Sequence, residues 1–85
     1  METFSCTITD ERGLHARNAM TMCRIAENYC AKIIVKANGR EADCKDMIAL
    51  MNLQAKQNDH ISFTAEGEDE NAAIQYLRAM IHTLT

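Results

Sequence analysis

Lys32-Ile33-Ile34-Val35-Lys36-Ala37-Asn38-Gly39-Arg40-Glu41-Ala42-Asp43-Cys44 reads as a hairpin, and the rest of the chain arranges itself around it. Ile33, Ile34 and Val35 are β-branched and suit a pleated, half-buried surface. Asn38-Gly39 tolerates the left-handed backbone that a two-residue turn requires, and Arg40 to Cys44 then returns as the partner strand. On the N-terminal side, Phe4, Cys6 and Ile8 alternate with Thr3, Ser5 and Thr7, the period of a strand with one buried face. From Ala16 to Tyr29 the period changes. Ala19, Met22, Cys23, Ala26 and Cys30 form one apolar stripe of a helix. On the C-terminal side, Asp46 is suited to cap a short helix over Met47-Ile48-Ala49-Leu50-Met51, with Leu50 and Leu53 turned to the core. Ile61, Phe63 and Ala65 alternate with Ser62 and Thr64 as a last strand, which Gly67 breaks. Asp69 and Glu70 then stand in the first turn of a helix, where its dipole favours acids. Ala73, Leu77, Met80, Ile81 and Leu84 make the core-facing stripe of that helix. The order β-α-β-β-α-β-α predicts an α+β fold: a four-stranded antiparallel sheet with three helices on one face, in one domain over residues 1–85.

Composition excludes several classes of function. The net charge of −3 over 85 residues lacks the basic face of a nucleic-acid binder. No apolar run approaches the ~20 residues that span a bilayer, and no signal-like segment opens the chain, so no membrane insertion and a cytoplasmic location are expected. Cys6, Cys23, Cys30 and Cys44 each fall in an apolar pattern without a secretory context, and are expected to be free thiols that behave as small hydrophobes. A metal site from Cys23, Cys30, Cys44, His60 and His82 lacks Cys-x-x-Cys or His-x-x-x-His spacing, so neither metal nor cofactor is expected.

The chemistry concentrates in Gly13-Leu14-His15-Ala16-Arg17. His15 follows a turn, Asp10-Glu11-Arg12-Gly13, and opens a helix whose first N–H groups have no intrahelical partner. Arg17 carries a planar fork of donors suited to phosphate oxygens. A neutral imidazole keeps a nitrogen lone pair that can attack phosphorus, and the dianionic product would meet the helix N-terminus and Arg17. The residues alone leave two readings open: a nucleophile inside an anion site, or a surface histidine at an N-cap.

The motif, with Lys45-Asp46-Met47-Ile48, Ala65-Glu66-Gly67-Glu68-Asp69-Glu70, the length and the element order, resembles the HPr family, the histidine phosphocarriers of the bacterial sugar phosphotransferase system. The resemblance implies an open-faced β-sandwich. It also implies that His15 takes a phosphoryl group on Nδ1 from phospho-Enzyme I and passes it to IIA domains of sugar permeases, phosphoenolpyruvate being the ultimate donor. His15 and Arg17 would be the reacting pair, and Ala16, Arg17 and Asn18 the phosphate-binding residues. Such a carrier is expected to act as a monomer and to borrow its partners' catalysis rather than be a stand-alone enzyme.

The sequence departs from the family in three places. Asn18 stands where proline is usual, restoring an N–H and adding an amide. Asp46 stands where many relatives carry a regulatory serine. It is a helix cap, typically worth about 1 kcal/mol over alanine. It is also a fixed charge that partly imitates a phosphoserine carrying about −1.5 to −2. Met20, Arg24, Met47, Ile48 and Met51 are expected on the partner-docking face, where methionines repack against different partners, although the same spacing fits core positions. Glu27 is acidic where relatives often have lysine, which bears on the rate of partner encounter. Asn18 and Asp46 keep a rival reading open, an HPr-like regulatory module that binds transcription regulators or metabolic enzymes without efficient phosphorelay.

Overall fold

In the computed structural model, which describes residues 1–84 with side chains through Ile81, the hairpin is one half of a four-stranded sheet. The elements run β1 (Glu2–Thr7), α1 (Ala16–Glu27), β2 (Lys32–Ala37), β3 (Arg40–Asp43), α2 (Met47–Asn52), β4 (His60–Glu66) and α3 (Glu70–Leu84). The strands are antiparallel and lie in the order β1-β4-β2-β3. Asn38 and Gly39 both have positive φ, +56° and +74°, as a type I′ hairpin turn requires. The α+β open-faced sandwich with helices on one face is the observed fold.

Strand alternation produces the two faces. Phe4, Ile33, Val35, Ala37, Ala42, Ile61, Phe63 and Ala65 are all buried under the helices. Thr3, Ser5, Lys32, Lys36 and Glu41 stay at the surface, and Lys36 Nζ lies 3.1 Å from Glu41 Oε1. Phe63 is the centre of the inner face: its register neighbours are Phe4 and Val35. The Phe4 and Phe63 rings stack at 4.8 Å, a pairing worth about 0.5–1.5 kcal/mol beyond buried area. From α3, the Arg78 guanidinium sits 5.6 Å from the Phe4 ring centre. Above the sheet, α1 contributes Ala19, Met22, Cys23, Ile25 and Ala26, and α3 contributes Ala73, Ile74, Leu77 and Ile81. Leu50 and Leu53 are buried at α2, as expected from their spacing.

Two expectations are corrected. Cys30 is exposed rather than part of the α1 stripe, because α1 ends at Glu27 with Asn28 as its C-cap. The chain is then turned by Asp69, whose carboxylate accepts from Cys30 N–H and Ala31 N–H at 2.8 Å each. Asp69 therefore acts mainly as a clamp between segments rather than as a charge on the helix dipole. Met80 is half-buried and packs against the core, as its place in the stripe predicts. Leu84 and His82 belong to α3, but their side chains lie outside the described ones. Cys23 and Cys44 are buried and Cys6 is half-buried. Burial pushes the Cys44 thiol up to about 12.

Candidate functional site

The loop before α1 is pinned on both sides of His15. Gly13 has φ +69°, and a Cβ there would lie 2.5 Å from the Ala55 carbonyl oxygen, so only glycine lets the loop approach this backbone. Leu14, buried, donates its N–H to the same oxygen at 2.9 Å. Beyond His15, Asn18 Nδ2 donates to the Gly13 carbonyl at 3.2 Å. Three short constraints in six residues leave the His15 ring little freedom to wander.

His15 is the N-cap of α1, with extended backbone at φ −105° and ψ 177°. Its ring is bound at both nitrogens. Nδ1 accepts the Arg17 N–H at 3.3 Å, and Nε2 lies 3.1 Å from Asp10 Oδ2. A carboxylate can only accept and a backbone N–H can only donate, so both bonds form together only in the neutral tautomer with the proton on Nε2. The lone pair then sits on Nδ1 and points at the helix N-terminus. At 3.3 Å the Arg17 bond is at the long end for N–H hydrogen bonding, a contact that an incoming oxyanion can replace.

Asp10 is held in turn by the turn it begins. Its Oδ1 accepts Arg12 N–H at 2.8 Å, and its carbonyl accepts Gly13 N–H at 2.9 Å. These bonds, the Arg12 amide first and the His15 ring second, hold its carboxyl below the ordinary carboxylate value. The Arg12 side chain completes the cluster, with Nε 3.5 Å from Asp10 Oδ1.

A cavity of about 420 Å³ opens here, lined by Asp10, Arg12, His15, Arg17, Asn18, Thr21 and Met80. His15, Arg17 and Asn18 thus come together, with exposed Ala16 between them in the first turn of α1. Asn18 is the polar side chain in the buried set, 4% exposed, and its Oδ1 has no hydrogen-bond partner among the described residues. The amide turns back to brace the loop through Gly13. Asp10, Arg12, Thr21 and Met80 are the cavity residues that sequence reasoning did not single out. Asp10 and Arg12 were visible only as turn residues, and Met80 as part of a helix stripe.

Asp46 caps α2, its Oδ1 accepting Ala49 N–H at 3.2 Å. Beside it α1 packs on α2. Met20, Ile48 and Met51 are 41%, 65% and 38% exposed, Arg24 is exposed, and Met47 is half-buried against the core. Glu27 Oε1 accepts from the Cys23 thiol at 3.4 Å.

A family model described as "PTS HPr component phosphorylation site" matches residues 2–83. The chain belongs to the HPr family. It is 35% identical to a phosphocarrier protein HPr of Mycoplasma pneumoniae, over 95% of this chain and 93% of that protein. It is 36% identical to a multiphosphoryl transfer protein of Xanthomonas campestris over 99% of this chain, which spans only 10% of that longer protein. Among solved structures, a mycoplasmal histidine-containing phosphocarrier protein superposes with a TM-score of 0.93 at 33% identity, covering 98% of this chain and 96% of that one. HPr-C-His of Thermoanaerobacter tengcongensis gives 0.91 at 28% identity, covering 99% and 94%. The HPr architecture therefore extends over nearly the whole chain, and the cavity around His15 lies within the segment that the family model matches. No helix among the described residues is long and apolar enough to cross a membrane.

Proposed function

We propose that this HPr-family protein is a phosphocarrier that takes a phosphoryl group on His15 Nδ1 from phospho-Enzyme I and passes it to IIA domains of sugar permeases. The observation that carries the reading is the orientation of the ring, with Nε2 bonded to Asp10 and the Nδ1 lone pair at the start of α1. Attack through Nδ1 forms an N–P bond while the bond from phosphorus to the donor breaks, its electron pair leaving with the donor. The Arg17 N–H, freed from Nδ1, turns to a phosphoryl oxygen. The first turn of α1 and the Arg17 guanidinium at the cavity rim balance the new charge. Ala16 offers no bulk to exclude the phosphoryl, and Asn18 supports its seat through Gly13. Onward transfer returns the electron pair to Nδ1.

Partners would dock on the neighbouring face through Met20, Arg24, Ile48 and Met51, with Met47 as its half-buried floor. A cytoplasmic, monomeric protein acting with Enzyme I and IIA domains fits this reading. Asp46 has no hydroxyl for a serine kinase to modify and keeps a permanent negative charge at the start of α2, so control at that position is lost or fixed. The exposed apolar triad of Met20, Ile48 and Met51 also suits the alternative, a regulatory module docking on transcription regulators or metabolic enzymes.

The test is incubation with phosphoenolpyruvate and Enzyme I from the same genome. An acid-labile phosphate is expected on the native protein and none on His15→Ala. A native protein that stays unlabelled would leave the regulatory module as the function.

A further inference from the structure

Resting on the carrier reading, we propose that Asp10 is the positioning residue of the site: it fixes the His15 tautomer, and so decides which nitrogen is phosphorylated. Asp10 divides its two oxygens between different tasks. Oδ1 is tied to the loop by Arg12 N–H at 2.8 Å, with the Arg12 side chain alongside, and Oδ2 faces His15 Nε2 at 3.1 Å. An oxygen fixed at that place admits only a proton on Nε2, and leaves Nδ1 as the nucleophile.

The same contact serves the reaction as it proceeds. When Nδ1 bonds to phosphorus, the ring gains positive charge while Nε2 keeps its proton, so no proton has to leave the site. The Asp10 carboxylate stands beside that developing charge from the far edge of the ring, where it does not meet the phosphoryl oxygens. The arrangement has the logic of a carboxylate that orients a catalytic imidazole and stabilises its cationic form. Its supply from a position three residues before the glycine is a feature of this chain's own Asp10-Glu11-Arg12-Gly13 segment.

The charged groups around the ring come from the same loop and from α1. Asp10, Arg12 and Arg17 line the same cavity as the ring. With two arginines and one carboxylate present, the site keeps an excess of positive charge for an anion even though Asp10 is ionised.

Asp10→Asn provides an isosteric test. If the amide oxygen keeps its bond to Arg12 N–H, the amide nitrogen takes the position of Oδ2 and presents a donor to Nε2. The ring should then move toward the opposite tautomer, with the proton on Nδ1 against the Arg17 N–H. Long-range 1H–15N spectra of the neutral ring read the tautomer, and labelling by Enzyme I and phosphoenolpyruvate reads the reaction. The native protein is expected to hold the proton on Nε2. Asp10→Asn is expected to shift it toward Nδ1 and to slow labelling by about 10–100-fold, the scale of loss seen when the partner that orients a metal-ligating imidazole is removed. Asp10→Ala, which offers neither donor nor acceptor, should give a mixture of tautomers and an intermediate rate. An unchanged tautomer in both variants overturns the positioning role whatever the labelling shows. A native protein without label at His15 overturns the carrier reading and, with it, the part that Asp10 plays in transfer.

Discussion

Two junctions in this molecule are made from the same parts, one aspartate and one glycine, yet only one of them holds an imidazole. At the end of β4, Gly67 has φ +153°, and a Cβ there would lie 2.8 Å from the Ala31 Cα, while Asp69 accepts from Cys30 and Ala31 N–H. Before α1, Gly13 presses on the Ala55 carbonyl in the same way, while Asp10 accepts from Arg12 N–H and from the His15 ring. The Asp69 carboxylate gives both oxygens to backbone and closes the chain. The Asp10 carboxylate gives one to backbone and the other to an imidazole. The difference separates a clamp on the chain from a clamp on a ring: a side chain is oriented where a carboxylate has one oxygen left over from the backbone.

The glycines should give the largest effects, and nearly equal ones. Gly13→Ala and Gly67→Ala each put a side chain on a backbone that L-residues rarely adopt, at about 1–3 kcal/mol. The clash with a neighbouring main chain adds to that. For a domain of this size, each kcal/mol lowers the melting temperature by roughly 4–8 °C. Thermal unfolding of both variants checks the pair. Gly39→Ala is the control, since its φ is +74° but no atom lies within 4 Å of a Cβ there. It should cost the strain alone. Equal losses at Gly13 and Gly39 would mean that the close approach to Ala55 is unimportant.

The aspartates come next, and here the two junctions should part. The Asp69 carboxyl is held below its ordinary value of 3.8, chiefly by the Cys30 N–H, and the Asp10 carboxyl is held below its own by the Arg12 N–H. A depressed folded-state value means stability that is present above pH 3.8 and lost as pH falls through the lower folded value. Asp69→Asn should therefore be less stable than the native protein at neutral pH, and the gap should narrow as pH drops below that point. Asp10→Asn should show the same convergence on a smaller scale. Its backbone partner is two residues away, whereas Asp69 joins positions 38 and 39 apart. Urea unfolding at a series of pH values measures both gaps. A gap for Asp69→Asn that stays constant down to acid pH would remove the clamp from the account.

Range along the chain also explains what was legible in the sequence. The strands, the Asn38-Gly39 turn and the helix stripes follow from periodicities and turn chemistry that are complete within a few residues. His15 and Arg17 were legible because a glycine, a helix start and a guanidinium fall within five positions. Cys30 was misread because the α1 stripe continues in the letters after the helix itself has ended. Beyond that end the chain is held by Asp69, a residue far along the chain whose acidity alone suggested only a helix start. Asp10 is close in sequence to its ring, but nothing in a turn motif reports where an aspartate's second oxygen points. The same holds at the β2–β3 turn, at the same end of the sheet. There Asn38 Nδ2 reaches Leu53 and Gln54 carbonyls and Asp59 Oδ2, close to the left-handed backbones of Gln54 and Asn58.

The smallest effect should come from chemistry at the structural junction itself. Cys30 is exposed beside Asp69, whereas Cys44 is fully buried with its thiol pushed up to about 12. A neutral alkylating agent needs both access and thiolate, so Cys30 should be modified first in the folded protein and Cys44 only on unfolding. The Cys30 contact to Asp69 is made by its backbone N–H, which alkylation leaves intact. The modified protein should then keep its melting temperature and take phosphoryl label at the native rate. Mass mapping of the first alkylated cysteine, followed by the labelling assay on that product, makes the check. A slowed label would mean that the two junctions communicate, and the division between a closing aspartate and an orienting one would have to be redrawn.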